Sequence, residues 1–231
     1  MNKERTAINL NSVVIFDGDV TDENLKIIPK DFRGDIIVNG NMSFEEDCYI
    51  PCNLWITGHL FGYCNRTIYV KGDCYCEEAI QSGDIKVDGD LYCKGYLNAH
   101  RIKIEGDLIV SEDKWFHKGD IISNDIMVAG DVFCEGKICS KDIIVAGDLF
   151  CKGDIRSKDI IMLGDLEAKK RIYCHFIKEI GNLHCNDISS YGVQARGKII
   201  TKGINVHGYK IIAKGIKAMC IENYSELIIG C

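Results

Sequence analysis

A Gly-Asp pair that returns at a short, nearly constant interval constrains this chain more than any other feature. The pairs stand at Gly72-Asp73, Gly89-Asp90, Gly106-Asp107, Gly130-Asp131, Gly147-Asp148 and Gly164-Asp165, and Gly181-Asn182 continues them. Counted from glycine to glycine, the intervals are 17, 17, 24, 17, 17 and 17. The long one holds seven extra residues near 112–118, and removing them restores the period. A unit this short cannot hold a pair of helices with their turns. It suits one coil of three short strands.

The positions between the pairs agree. The second residue after each glycine reads Cys74, Leu91, Leu108, Val132, Leu149, Leu166, Leu183; the fourth reads Cys76, Cys93, Val110, Cys134, Cys151, Ala168, Cys185. Further on, Ile80, Leu97, Ile138, Ile155 and Ile172 precede a small residue such as Ser82, Ala99, Ser140 or Ser157. A third aliphatic pair closes each unit, as in Ile85/Val87, Ile102/Ile104, Ile143/Val145 and Ile160/Met162. Alternation of this kind marks half-buried strands. The expected fold is all-β: a single-stranded, right-handed parallel β-helix, or solenoid, with about 17 residues and three short strands per coil. The handedness follows from the general chirality of parallel crossovers. Corner glycines are expected to supply unusual backbone angles, and each corner aspartate to bond its own backbone in an Asx-turn. A left-handed hexapeptide solenoid would need a stricter six-residue period.

The whole chain, 1–231, reads as one β-helix domain. Regular coils span about 72–187, with irregular N-terminal coils at about 12–71 and irregular C-terminal coils at about 188–231. A loop insertion sits near 112–118. Roughly eleven or twelve coils at about 4.8 Å each predict a rod of about 50–60 Å.

Composition narrows the function. The net charge of -6 argues against nucleic acid as a partner, because polyphosphates need a basic footprint. The opening residues 1–7 are polar and lead into no signal-like stretch, and no apolar run is long enough for an integral membrane segment. A cytoplasmic location is therefore expected, with the thirteen cysteines as free thiols.

The segments IIVAGDLFCKGDIRSKDIIMLGDL (143–166) and IKVDGDLYCKGYLNAHRIKIEGDL (85–108) resemble the repeats of bactofilins. The likeness covers about residues 34–217. It implies a bacterial cytoskeletal β-helix that polymerises end to end without nucleotide and serves as a scaffold. The chain departs from that pattern in its insertion, its irregular terminal coils and its lack of flexible polar tails.

Three kinds of chemistry compete with an architectural role. The cysteine column invites a metal, but Val110 and Ala168 occupy the same column, so the position asks for a small apolar side chain. The aspartate column invites calcium, but it lacks the glycine-rich spacing of calcium-binding β-rolls. A carbohydrate-acting enzyme would need an acid and base cluster that breaks the repeat, and the carboxylates here recur at corners. No catalytic residue, metal or cofactor is expected, and a protein partner or self-association is. The expected interaction surface comprises outward apolar residues. Tyr75, Tyr92, Phe133 and Phe150 form one stripe, Met127, Ile144, Ile161 and Leu163 another, and Trp115 and Phe116 lie in the insertion.

Charge is segregated along the chain. Residues 17–47 carry Asp17, Asp19, Asp22, Glu23, Asp31, Asp35, Glu45, Glu46 and Asp47 against Lys26, Lys30 and Arg33. Residues 188–221 carry Arg196, Lys198, Lys202, Lys210, Lys214 and Lys217 and no acid. Such ends steer head-to-tail contact in a scaffold. They equally fit a cytoplasmic immunity-type protein that caps and neutralises a protein toxin, and that is the alternative reading.

Overall fold

Alternating inward and outward residues make each short segment a strand, and each strand finds partners one coil before and one coil after it. The computed structural model describes residues 11–63, 65–112, 118–207, 210–222 and 226–230. It is a parallel β-solenoid of about 11 turns with about 17 residues per turn. Thirty strands of the described residues join in one parallel sheet. Among the described residues the only α-helix is the single turn Asp22–Leu25.

Three inward rows build the core. The first runs from Val14 through Ile36, Leu54, Cys74 and Leu91 to Leu183, Ile199 and Ile216. The second passes through Met42, Leu60, Ile80 and Leu97 to Ile204 and Ile221. The third passes from Cys48 and Ile68 through Ile85, Ile102 and Ile126 to Ile211 and Leu227. Interior members of all three rows are buried in one contiguous hydrophobic core. Each aliphatic so buried contributes about 1.5–3 kcal/mol against the entropy of ordering the chain. The register passes straight across the insertion, because Ile102 pairs with Ile126. It also holds where spacing varies: Ile36 pairs with Leu54, and Leu54 with Cys74.

The corners work differently from the expectation. The aspartates do not close Asx-turns on themselves. Each carboxylate accepts the backbone N–H of the aspartate one coil later: Asp73 from Asp90 (2.9 Å), Asp90 from Asp107 (2.8 Å) and Asp107 from Asp131 (2.8 Å). The series continues through Asp131 and Asp148 to Asp165, which receives Asn182. A corner N–H that no strand partner can reach thus gains a charged acceptor, a stronger bond than a neutral one. A second corner repeats the device. Asp19 accepts from Asn41, Asn41 from His59, Asp120 from Lys137 and Asp154 from Arg171.

At the second corner Gly18, before Asp19, and Gly119, before Asp120, do take the positive φ expected of corner glycines, and among the described residues Gly95 and Gly230 are the others that do. The glycines of the series from Gly72 to Gly181 do not. Their reason is space. A Cβ on Gly89, Gly106, Gly130 or Gly147 would lie 2.1 Å from the carboxylate oxygen of the preceding coil's aspartate. Glycine is what lets the aspartate reach across.

Behind another corner, the hydroxyls of Ser140, Ser157 and Ser190 each lie 2.9–3.0 Å from a carbonyl of the preceding coil. Each is also 2.9 Å from the carbonyl two residues ahead. The small row inferred from sequence is therefore hydrogen-bonded at these three positions, whereas the buried Ser82 hydroxyl in the same row has no partner among the described residues.

Two substitutions test the corner. Asp107→Ala removes the acceptor for Asp131 N–H and is expected to cost about 1–2 kcal/mol in urea unfolding. Gly130→Ala forces its methyl against Asp107 and Gly106 and is expected to cost at least that much. The double variant should cost less than the sum, since one change relieves the other. Strict additivity would mean that the two residues do not interact.

Candidate functional site

The inward residues leave little room for chemistry. Cys76, Cys93, Cys134 and Cys151 are fully buried, and their thiols point at carbonyls of the preceding coil. Cys76 donates to Gly58 (3.2 Å), Cys93 to Glu78 (3.3 Å), Cys134 to Gly119 (3.2 Å) and Cys151 to Gly136 (3.3 Å). Burial pushes the thiols of Cys48, Cys76, Cys174 and Cys185 up to about 12 and that of Cys52 up to about 11. A protonated, enclosed thiol is a poor nucleophile and a poor ligand. Cys220 is exposed and Cys139 half-buried. Among the described residues no group of three or more His, Cys, Asp or Glu is placed to hold a metal.

The outward residues are where the molecule varies. On the first face, rings one coil apart lie over one another. Trp55 stacks on Tyr75 (centroids 4.7 Å apart), Tyr75 on Tyr92 (4.6 Å) and Phe133 on Phe150 (5.1 Å). Lys94 reaches over Tyr75 at 5.6 Å, Lys152 over Phe133 at 5.9 Å and Lys169 over Phe150 at 5.2 Å. Tyr75, Tyr92, Phe133 and Phe150 are therefore half-buried by their own neighbours and by lysine stems. The stripe read from sequence is one row holding two ring stacks separated by Ile109, and Trp55 extends the first.

The third face is barer. Met127, Ile144, Ile161 and Leu163 are 43%, 45%, 38% and 57% exposed, with Ala129 and Ala146 exposed beside them. Their strands pair one above another, so these side chains form one patch on a flat sheet. Trp115 and Phe116, the insertion's contribution to the expected surface, lie outside the described residues.

The same row holds further residues, of which the strict repeat reaches only Tyr69, 17 residues before Lys86. Tyr49 and Tyr69 precede Lys86 in it, and Ile212 and Ile228 end it. Cys48 pairs with Ile68 and Val193 with Ile211, both across longer intervals than the repeat's own, so a fixed period does not find the rest.

At the rod's two ends the core rows lose their cover. Val14 and Phe16 at one end, and Ile216, Ala218, Ile221 and Leu227 at the other, are only partly buried. Among the described residues each terminal strand pairs on one side: Val14–Asp17 with Asp35–Asn39, and Glu226–Ile229 with Lys210–Ala213. Glu226–Ile229 is the last strand among the described residues.

Fold and surface together define a protein of the parallel β-solenoid class whose distinctive features are its outward rows. No family model, no curated protein and no solved structure matches the chain. No helix is long and apolar enough to cross a membrane among the described residues.

Thiol chemistry checks the core. With iodoacetamide at pH 8 on native protein, peptide mapping should find Cys220 labelled first and Cys139 next, with Cys76 and Cys93 protected until unfolding. Rapid labelling of Cys93 would contradict its burial. The pH dependence has a definite sign. An unfolded chain releases its thiol protons near 9, whereas Cys76 holds its proton to about 12. Stability is then intact below pH 9 and falls as pH rises through that window. Cys76→Ala should make the fall shallower in urea titrations at pH 8 and 10.5.

Proposed function

We propose that this chain is a non-enzymatic structural scaffold that acts through protein contact and self-associates end to end, as its likeness to bactofilin repeats implies. The observation that carries the reading is the state of the ends. Interior members of the rows are buried, and among the described residues the rows stop with apolar side chains half uncovered beside strands paired on one side. An open strand edge over an apolar core is a template for another strand unless something blocks it. A second copy stacked on the first would continue all three rows at the same spacing. Charge favours one polarity. The first coils expose Asp17, Asp19, Glu23 and Glu45, while the last expose Lys198, Lys202, Lys214 and Lys217, so a head-to-tail stack sets acid against base. The recurrent corner carboxylates of Asp73, Asp90 and Asp107 serve as acceptors for backbone N–H groups, which fits an architectural role.

Head-to-tail contact of this kind is open-ended, so particle mass should rise with concentration rather than settle at a small integer. Light scattering on the full chain is expected to show that growth at low salt and its decline at high salt. Ile221→Lys, which puts a charge on the uncovered second row, should shorten the particles several-fold without changing the circular dichroism spectrum. A particle whose mass is independent of concentration under all conditions overturns end-to-end assembly.

A further inference from the structure

The outward row of the third face has a polarity that reads the same from either end. Its centre is apolar: Met127, Ile144 and Ile161, each paired to the next. Polar residues flank the centre on both sides. Lys86 and Lys103 come before it, and Lys178 and Gln194 after it. Outside these, Tyr49 and Tyr69 stand at one end and Ile212 and Ile228 at the other. Gln194 keeps the row because Val193, its neighbour, pairs with Ile177. Five members precede Ile144 and five follow it, so Ile144 is the midpoint.

We propose that this face is the interface of an antiparallel side-by-side pair of two copies of the chain. The two-fold axis passes beside Ile144, in the plane of contact and perpendicular to the rod. Turning one rod over about that axis sets Met127 against Ile161, Tyr69 against Ile212 and Lys86 against Gln194. Apolar meets apolar and polar meets polar along the whole row, as a self-complementary contact requires. The one like-charged meeting, Lys103 with Lys178, has a carboxylate at hand, since Glu105 lies 2.9 Å from Lys103. Gly192 leaves a dent of about 190 Å³ between Phe176 and Ile212, at the level where the second copy brings Tyr69 and Lys86.

A parallel pair would also match the row, each coil meeting its own copy. Charge separates the two arrangements. Acids outnumber bases beside the first coils of this face, where Asp22, Glu46 and Asp47 lie with Lys26 and Lys30 and Lys26 is paired to Glu23. Bases outnumber acids at the last, where Arg196, Lys210 and Lys214 stand against Glu226. A parallel pair sets like against like at both ends, and the antiparallel pair sets acid against base. Size is adequate. About eleven coils at about 4.8 Å, and about four residues across at about 3.4 Å, give about 700 Å² per copy. A standard interface buries about 800 Å² per partner. This pairing uses a surface distinct from the rod ends and closes at two copies, so it stands or falls separately from end-to-end stacking.

Cross-linking tests it. Facing sheets lie about 10 Å apart, beyond the reach of a direct disulfide, so a short bismaleimide is the probe. Full-length Met127→Cys and Ile161→Cys are prepared singly and mixed, with the wild type treated alike to measure background from native thiols. The mixture is expected to give a cross-linked pair at least ten-fold more efficiently than either variant alone. Ile144→Lys in both chains should abolish it while leaving circular dichroism unchanged. Cross-linking of Met127→Cys alone as efficient as the mixture would replace the antiparallel pair with a parallel one. No cross-linking in any combination would remove this face as an interface, even if the rods still stack by their ends.

Discussion

The hydrogen bond from each corner N–H to a carboxylate of the preceding coil is the contact on which the rest of this rod depends. Strands within a coil are short, some of only two residues, and by themselves fix little. The corner bond locks coil to coil at the point where the chain turns, and it fixes the register of the strands on either side. Glycine and aspartate are one device split between coils: the missing side chain of Gly106 is the space that the Asp90 carboxylate fills. A slip of one residue would place a Cβ in that space and turn every inward aliphatic outward.

With the register fixed, inward and outward rows answer to different demands. Inward residues must match their neighbours above and below in size, which is why cysteine, valine and alanine exchange in one row and isoleucine dominates another. Outward residues carry no such constraint. They change from lysine to aliphatic and back within one face, as Lys103, Met127, Ile161 and Lys178 show. The surface of the third face is therefore informative about use, because its pattern is not required by the fold.

The repeat made the architecture legible because a stacked coil writes the same physical demand into the sequence at every turn. The inward rows of residues 72–187 were readable from that alone. The role of the Gly-Asp pair was not. Sequence shows that Gly89 and Asp90 are adjacent, and adjacency points to a local turn. The actual partner of Asp90 is the backbone of Asp107, a coil away. Outward residues in the early coils were missed for another reason. Corner lengths vary there, so Tyr49 and Tyr69 share a row without sharing a period. The patch of Met127, Ile144 and Ile161 was visible from alternation, but its central position in its row emerged only when the whole face was assembled.

Parallel pairing one coil apart also sets how the chain must find its fold. Sheets are usually costly to assemble because their strands lie far apart in sequence. Here the interior pairings join residues mostly 16 to 24 apart, as Ile177 with Val193 and Ile102 with Ile126 do. Divided by the chain length of 231, that is a relative separation of about 0.07–0.1, the range of helical bundles rather than of β-sandwiches. Each added coil closes a loop of nearly the same size, so the entropic cost of growth is nearly constant along the rod. An all-β molecule with this topology pays its largest entropic toll once, at the first pair of coils, and thereafter lengthens as a zipper does.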